Sequence, residues 1–501
     1  MLQLTGTDAA FLYMETANTP MHIAGVYILA PEGGNFDYPR FKQFVADRLQ
    51  VSRIFRQKLV KAPFDITHPY WVEDAQFNMD NHITRIAVPH PGGDEEFMPL
   101  VSKILSRPLD MTKPLWEIYV IEGLENLQNY PKGAYAVITK VHHAAIDGMS
   151  GAEIAGAFFD TEPTPRPLKK DTWKGEATPS TWQIAWQGIQ ASISTTPKTL
   201  ASFLYNTAKN SIGVATQALQ TQKAISTAPL VNVPRTIFNG KVSPQRAFDG
   251  VALPLAEIKK VRALVEGATL NDVILTMCSG ALRRYLQERN ALPEQSLVSF
   301  CPKSVRPEDQ KSAMGNQISG MFVALATEEA DPLVRLQKIH AKTSTSKLYS
   351  AALELDKAIN LVPSMVESVA MNLYQTLHLS DYHTPFCNVT ITNVPGPQLP
   401  LFMNGSEMLV NYGAGPITHG MGLIIPIFSY NGKVMISATV CKEMMPDVDK
   451  FVGYIAEELQ ILLALLPQKS QNEETIKAQK PATPKTTKKV AVKKPLNGVA
   501  V

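Results

Sequence analysis

The stretch Ala134-Tyr135-Ala136-Val137-Ile138-Thr139-Lys140-Val141-His142-His143-Ala144-Ala145-Ile146-Asp147-Gly148 decides the architecture of this chain. Its first eight residues are dominated by β-branched, aromatic and small apolar side chains, the composition of a strand buried on both faces. The strand runs directly into two adjacent histidines, and Gly148 then opens a helix through about residue 159. In extended backbone successive side chains face opposite ways, so only one of the two imidazoles can point into a given cleft. A neutral imidazole near pH 7 is well matched to taking a proton from a hydroxyl as it attacks a thioester. Asp147 has two readings, orienting the ring or holding the turn by pairing with a basic residue. Gly148 supplies either an unusual backbone angle or room for substrate. Two histidines and an aspartate also suit a metal, but the chain lacks His-Glu-x-x-His and paired cysteines, which argues against a metal centre.

Outward from this stretch, strands and helices alternate. Residues 22–30 and 116–122 read as strands and 38–50 as a helix carrying Phe41, Phe44, Val45 and Leu49 at helical spacing. A proline-rich polar run at about 162–180 marks a boundary or crossover, and 181–222 reads as weakly amphipathic helix, either packed linker or a membrane-touching surface. The alternation resumes near 246. Helices are expected at 270–288, 331–349, 355–378 and 447–466, and strands at 297–301, 317–326, 387–394, 421–429 and 433–440. The economical description is α/β: an N-terminal domain over 1–165, a partly helical linker over 166–240 and a C-terminal domain over 241–467. A Lys-, Pro-, Ala- and Thr-rich tail over 468–501 is expected to be disordered.

Length supports two cores, because 501 residues exceed the roughly 250–300 at which a single core stops growing. Apolar residues make up 45% and charged residues 19%, a globular profile. The net charge of +3 conceals an asymmetry. Eight lysines against Glu473 and Glu474 give the tail +6 and leave the body at −3, so a mildly acidic globule carries a basic appendage. That appendage is either solvated or bound to anionic lipid. No nucleic-acid partner is expected. Four scattered cysteines provide neither a disulfide framework nor a zinc site and suit a reducing cytoplasm. No signal peptide and no apolar run long enough to span a bilayer is evident, so a soluble or peripheral protein is expected.

Absent motifs narrow the chemistry. There is no Gly-x-Ser-x-Gly elbow to present a nucleophilic serine and no phosphate-binding P-loop. Gly413-Ala414-Gly415 fails the dinucleotide pattern, since Thr418 stands where its third glycine belongs. What remains is a lone histidine base acting with a pre-activated donor.

His142-His143-Ala144-Ala145-Ile146-Asp147-Gly148 closely resembles the signature of the bacterial bifunctional wax ester synthase/diacylglycerol acyltransferases, within the chloramphenicol acetyltransferase-like, CoA-dependent acyltransferases. The resemblance extends in order from about residue 4 to 466. It runs through Asp8-Ala9-Ala10-Phe11-Leu12-Tyr13, Pro20-Met21-His22, Pro114-Leu115-Trp116 and Asn271-Asp272-Val273-Ile274-Leu275. It continues through Ser304-Val305-Arg306, Gly315-Asn316 and Asn393-Val394-Pro395-Gly396-Pro397. Lys303 departs from the pattern, standing where a small or apolar residue is expected. The resemblance implies two chloramphenicol acetyltransferase-like domains with a substrate tunnel between them. It implies transfer of a long-chain acyl group from acyl-CoA to a fatty alcohol or diacylglycerol, in a ternary complex and without a cofactor. His143 is then the general base, His142 a support and Asp147 largely structural, with Gly148 a further residue of the catalytic motif. Asn271, Asp272, Trp116, Ser304, Arg306, Asn393, Pro395 and Gly396 are implied to line the substrate path. Asn271 is implied either to polarise the thioester carbonyl or to complete the tunnel, with a helix N-cap as its alternative reading; for Trp116 core packing is the alternative, and residues 393–397 are expected to form a rigid turn. Implied partners are acyl-CoA, the lipid acceptor and a peripheral membrane or lipid-droplet surface. The alternatives are a different hydroxyl or amine acceptor on the same fold, or a non-catalytic lipid-binding protein.

Overall fold

A computed structural model of the chain describes residues 2–145, 156–168, 182–184, 186, 233–304, 318–349 and 364–467. In chain order the N-terminal half contains β1 (Leu2–Gln3), α1 (Gly6–Met14), β2 (His22–Ala30), α2 (Tyr38–Arg48), β3 (Gln57–Val60), β4 (Tyr70–Glu73), β5 (Ile83–Ala87), α3 (Asp94–Ser106), β6 (Trp116–Glu122) and β7 (Tyr135–His142). The C-terminal half opens with β8 (Arg246–Pro254), α4 (Leu255–Val261), α5 (Leu270–Gln287), β9 (Val298–Ser304), β10 (Ile318–Ala324), α6 (Pro332–Tyr349) and α7 (Ser364–Thr376). It closes with β11 (Val389–Pro395), β12 (Phe402–Met403), β13 (Ser406–Ala414), β14 (Leu423–Tyr430), β15 (Lys433–Cys441) and α8 (Val448–Ala464).

Two six-stranded sheets organise these elements, in the orders β12-β13-β2-β7-β6-β5 and β10-β9-β11-β14-β15-β8. The α/β expectation is met, but the division of the chain at 241–467 is crossed by one excursion. Strands β12 and β13 leave the C-terminal half and join the first sheet, where β13 pairs antiparallel with β2 from Glu407↔Ala30 to Ala414↔Ala24. The physical reason is that β2 is paired with β7 on one side only and would otherwise present an open edge. Side chains of β13 alternate, so Met408, Val410, Tyr412 and Ala414 enter the first core. Burying Met408 and Val410 alone contributes roughly 1.5–3 kcal/mol each.

The outer edge of the second sheet, β8, is met by side chains. On α3, Ser106 Oγ accepts the Arg246 N–H at 2.9 Å and Ser102 Oγ accepts the Phe248 N–H at 3.0 Å. Residues four apart lie on one face of a helix, and alternate amides of a strand point the same way, so two serines satisfy two amides. Both β13 and α3 thus tie one half of the chain to the other.

Strand β7 is buried at all eight positions, as its composition requires. The helix expected over 270–288 is α5, with Ile274, Met277, Ala281 and Tyr285 buried in the second core. In the N-terminal half Arg48 meets Asp160 in a buried two-pronged ion pair, at 3.2 and 2.6 Å, and also donates to the Ala157 carbonyl at 3.1 Å. The four cysteines are buried thiols. Among the described residues no helix is long and apolar enough to cross a membrane. Most of the helix expected from Gly148, most of the linker helix and the basic tail lie outside the described residues, while 156–158 are helical.

Candidate active site

The end of β7 delivers the histidine pair to the first sheet's rim. His142 is the last strand residue, in register with His22 of β2, and His143 begins a 3-10 turn over His143–Ala145. The rings therefore diverge because the backbone leaves the strand between them, rather than by strand alternation alone. Neighbouring chain fixes that exit: the His142 N–H donates to the Leu115 carbonyl at 3.0 Å and the His143 N–H to the Met21 carbonyl at 2.8 Å. Thus the Pro114-Leu115-Trp116 and Pro20-Met21-His22 segments are the walls between which the pair is held.

His142 is completely buried and both its ring nitrogens are engaged. Its Nδ1 accepts the Ala144 N–H at 3.1 Å, and its Nε2 lies 2.6 Å from Glu15 Oε2. An Nδ1 that accepts an amide proton requires the neutral ring to carry its own proton on Nε2, which is then donated to Glu15. No nitrogen is left for chemistry.

His143 is the opposite case. Its ring stacks on Phe11 with centroids 3.8 Å apart and planes 12° from parallel. Its Nδ1 has no hydrogen-bond partner among the described residues. Burial, with a smaller repulsive contribution from His142, pushes its pKa down to about 4, and its own backbone opposes this weakly. The ring is consequently neutral throughout the physiological range.

A second group of residues sits on the C-terminal half. Asn271 is the second residue of α5, where Thr269 and not Asn271 is the N-cap. The Asn271 side-chain carbonyl accepts from Asn393 Nδ2 at 3.1 Å, which leaves its own amide N–H groups to donate elsewhere. Asn393 lies in β11, so residues up to Pro395 form strand rather than the expected turn. Pro395 is exposed. Gly396 follows where the chain passes β14 so closely that a Cβ would stand 2.3 Å from the Ser429 carbonyl oxygen. A small cleft is bordered by His22, Leu105, Arg246, Gly415 and Thr439, drawn from both sheets.

Two of the residues implied to line the substrate path have other employment. Asp272 is fully buried, and its carboxylate accepts from Thr269 N at 2.8 Å, from Thr343 Oγ1 at 2.8 Å and from His340 Nδ1 at 2.9 Å. It anchors the start of α5 to α6 and is not free to meet substrate. Trp116 is buried, donates Nε1–H to the Phe55 carbonyl at 3.0 Å and packs edge-on against the Phe55 ring. It is core. Ser304 closes β9, opposite Ile318 of β10. Asp147, Gly148 and Arg306 lie outside the described residues. Sequence reasoning assigned no role to Phe11 or Glu15, although their spacing of four on an apolar helix was the available signal that they share a face.

Known proteins resemble this chain along most of its length. The model of the wax ester synthase/diacylglycerol acyltransferase catalytic domain matches residues 4–274, and that of the family's C-terminal domain matches 314–463. A Mycobacterium tuberculosis protein described as a candidate diacylglycerol O-acyltransferase is 32% identical over 92% of this chain and 90% of its own. An O-acyltransferase of Acinetobacter baylyi is 29% identical over 92% of this chain and 97% of its own. The solved structure of a wax ester synthase/diacylglycerol acyltransferase from Marinobacter aquaeolei superposes with a TM-score of 0.66 at 26% identity, covering 92% of this chain and 98% of that one. The chain belongs to the wax ester synthase/diacylglycerol acyltransferase family of acyl-CoA-dependent O-acyltransferases.

Proposed function

We propose that His143 is the general base with which this O-acyltransferase moves a long-chain acyl group from acyl-CoA to the hydroxyl of a fatty alcohol or diacylglycerol. The observation that carries this reading is the contrast within the pair. His142 is saturated, whereas His143 is neutral and its Nδ1 is unpartnered among the described residues. As the acceptor oxygen bonds to the thioester carbonyl carbon, His143 takes the hydroxyl proton. Collapse of the tetrahedral oxyanion breaks the carbon–sulfur bond, and the imidazolium returns its proton to the departing CoA thiolate. Holding donor and acceptor in line supplies much of the acceleration. The Asn271 amide, aligned by Asn393, is suited to donate to the oxyanion, a contribution of about 10²–10³ in such sites. The reaction in this form draws on no cofactor beyond the acyl-CoA substrate. Replacing His143 by Ala is expected to abolish thiol release from palmitoyl-CoA with hexadecanol while the protein stays folded. Turnover at the wild-type rate in that variant removes the assignment.

Lipid acceptors reside in an apolar phase, and the exposed face of α7 supports a peripheral contact with one. Its polar Ser364, Glu367, Ser368 and Gln375 are buried, while Met365, Val366, Val369, Leu373 and, just beyond its end, Leu377 are exposed. A helix that turns its apolar face outward suits the interface of a membrane or lipid droplet. Val369→Asp together with Leu373→Asp is expected to lower co-sedimentation with phosphatidylcholine vesicles at least about tenfold, the loss of roughly 1.4 kcal/mol or more of interfacial transfer. Undiminished sedimentation excludes α7 as the lipid-facing element.

A further inference from the structure

One face of α1 touches both histidines. Phe11 stacks on the His143 ring, and Glu15, four residues on and capping the helix's C-terminal end, meets His142 at 2.6 Å. The Glu15 contact has a consequence for the neighbouring ring. His142 is enclosed, so its tautomer is set by its two partners and not by water. With the proton on Nε2 and directed to Glu15, Nδ1 is left as an acceptor for the Ala144 N–H, the bond that pins the turn from which His143 projects. Without the carboxylate, the alternative tautomer would set an Nδ1–H against the Ala144 N–H, donor against donor, and release the turn.

We infer that Glu15 is a positioning residue for the acyl transfer, acting through His142 to fix the backbone that presents His143. Phe11 holds the His143 ring flat from the other end of the helix face. The inference rests on His143 being the base. It differs from a role in capping α1, because it requires that the effect of Glu15 pass through His142.

The experiment is a double-mutant cycle. Glu15→Ala is expected to lower kcat by roughly 10²-fold, the scale of a displaced catalytic group, with KM for palmitoyl-CoA and hexadecanol within about twofold of wild type. Glu15→Gln keeps an acceptor oxygen and is expected to recover activity to within about tenfold of wild type. His142→Ala with Glu15→Ala should be no slower than His142→Ala alone, since the two act in series. With nitrogen-15-labelled histidine, the wild-type His142 is expected to show a protonated Nε2 and a bare Nδ1, and this signature should be lost in Glu15→Ala. Wild-type kcat in Glu15→Ala, or effects that multiply in the double variant, overturn the inference. If Glu15→Ala does not fold, Glu15→Gln with an unaltered His142 signature and a kcat equal to that of His142→Ala overturns it as well. A fully active His143→Ala is a separate outcome, and it removes the base assignment on which this rests.

Discussion

Replacing His143 by Gln offers a test of its environment that does not depend on turnover. In the folded protein the ring's pKa is lowered to about 4 by burial, whereas in the unfolded chain it returns to the ordinary value of 6.5. As pH falls below 6.5 the unfolded ring takes a proton before the folded one, so stability is lost through the window from 6.5 to about 4. The full loss for a difference of this size is about 3 kcal/mol, and at about pH 5 roughly 2 kcal/mol of it has already appeared. A glutamine side chain in the same place would be neutral in both states and escape this penalty. Urea unfolding of both proteins at about pH 8 and about pH 5 should show the His143→Gln variant gaining roughly 2 kcal/mol on wild type at the lower pH. Comparing the two proteins cancels the other buried histidines, His22, His68, His82 and His419, whose pKa values are also lowered. The same ring should keep kcat/KM level from about pH 8 down to near pH 5, with an acid limb at about 4. An unchanged stability difference between the two pH values, with an acid limb near the ordinary 6.5, would refute the desolvated-base reasoning.

Three further outcomes follow from individual contacts in the fold. Trp116→Phe removes the bond to the Phe55 carbonyl and should cost about 1 kcal/mol in urea unfolding, with both KM values unmoved. A rise of about tenfold in KM would return Trp116 to the substrate path. Asp160→Ala strands the buried Arg48 guanidinium and should destabilise by about 3–5 kcal/mol, read from the shift of the urea midpoint. Gly413→Ala sets a Cβ 2.3 Å from Phe428 Cε2 where β13 meets the second sheet, and should cost about 1–3 kcal/mol in the same assay.

The elements that carried strong local patterns were legible in the sequence. Strands β2, β6 and β7 and helix α5 lie where apolar period and composition put them, because the signal for each is written in its own residues. The adjacency of His142 and His143 was visible too, as was the need for only one to be free. Three things were not. The regular alternation of Met408, Val410, Tyr412 and Ala414 was present, but strand pairing is a long-range event, and nothing local to β13 names β2 as its partner. Asp272 looked like a functional carboxylate because its occupation by His340 and Thr343 depends on α6, 68 and 71 positions away. Glu15 lies 127 positions from His142, so its role exists only once α1 is laid against the end of β7.

The crossing of β13 into the first sheet also governs how the chain can be assembled on the ribosome. By the time residue 165 has emerged, β2 has its β7 partner but must wait for residues 406–414 before its other edge is closed. An N-terminal half expressed alone would present that edge, with the apolar sockets for Met408, Val410 and Tyr412 open beside it, to any chain able to add a strand. The first sheet is therefore expected to be completed only late in synthesis. Dividing the chain into two separately made halves should yield soluble protein only when both are produced together, with the C-terminal piece acting as the template that completes its partner.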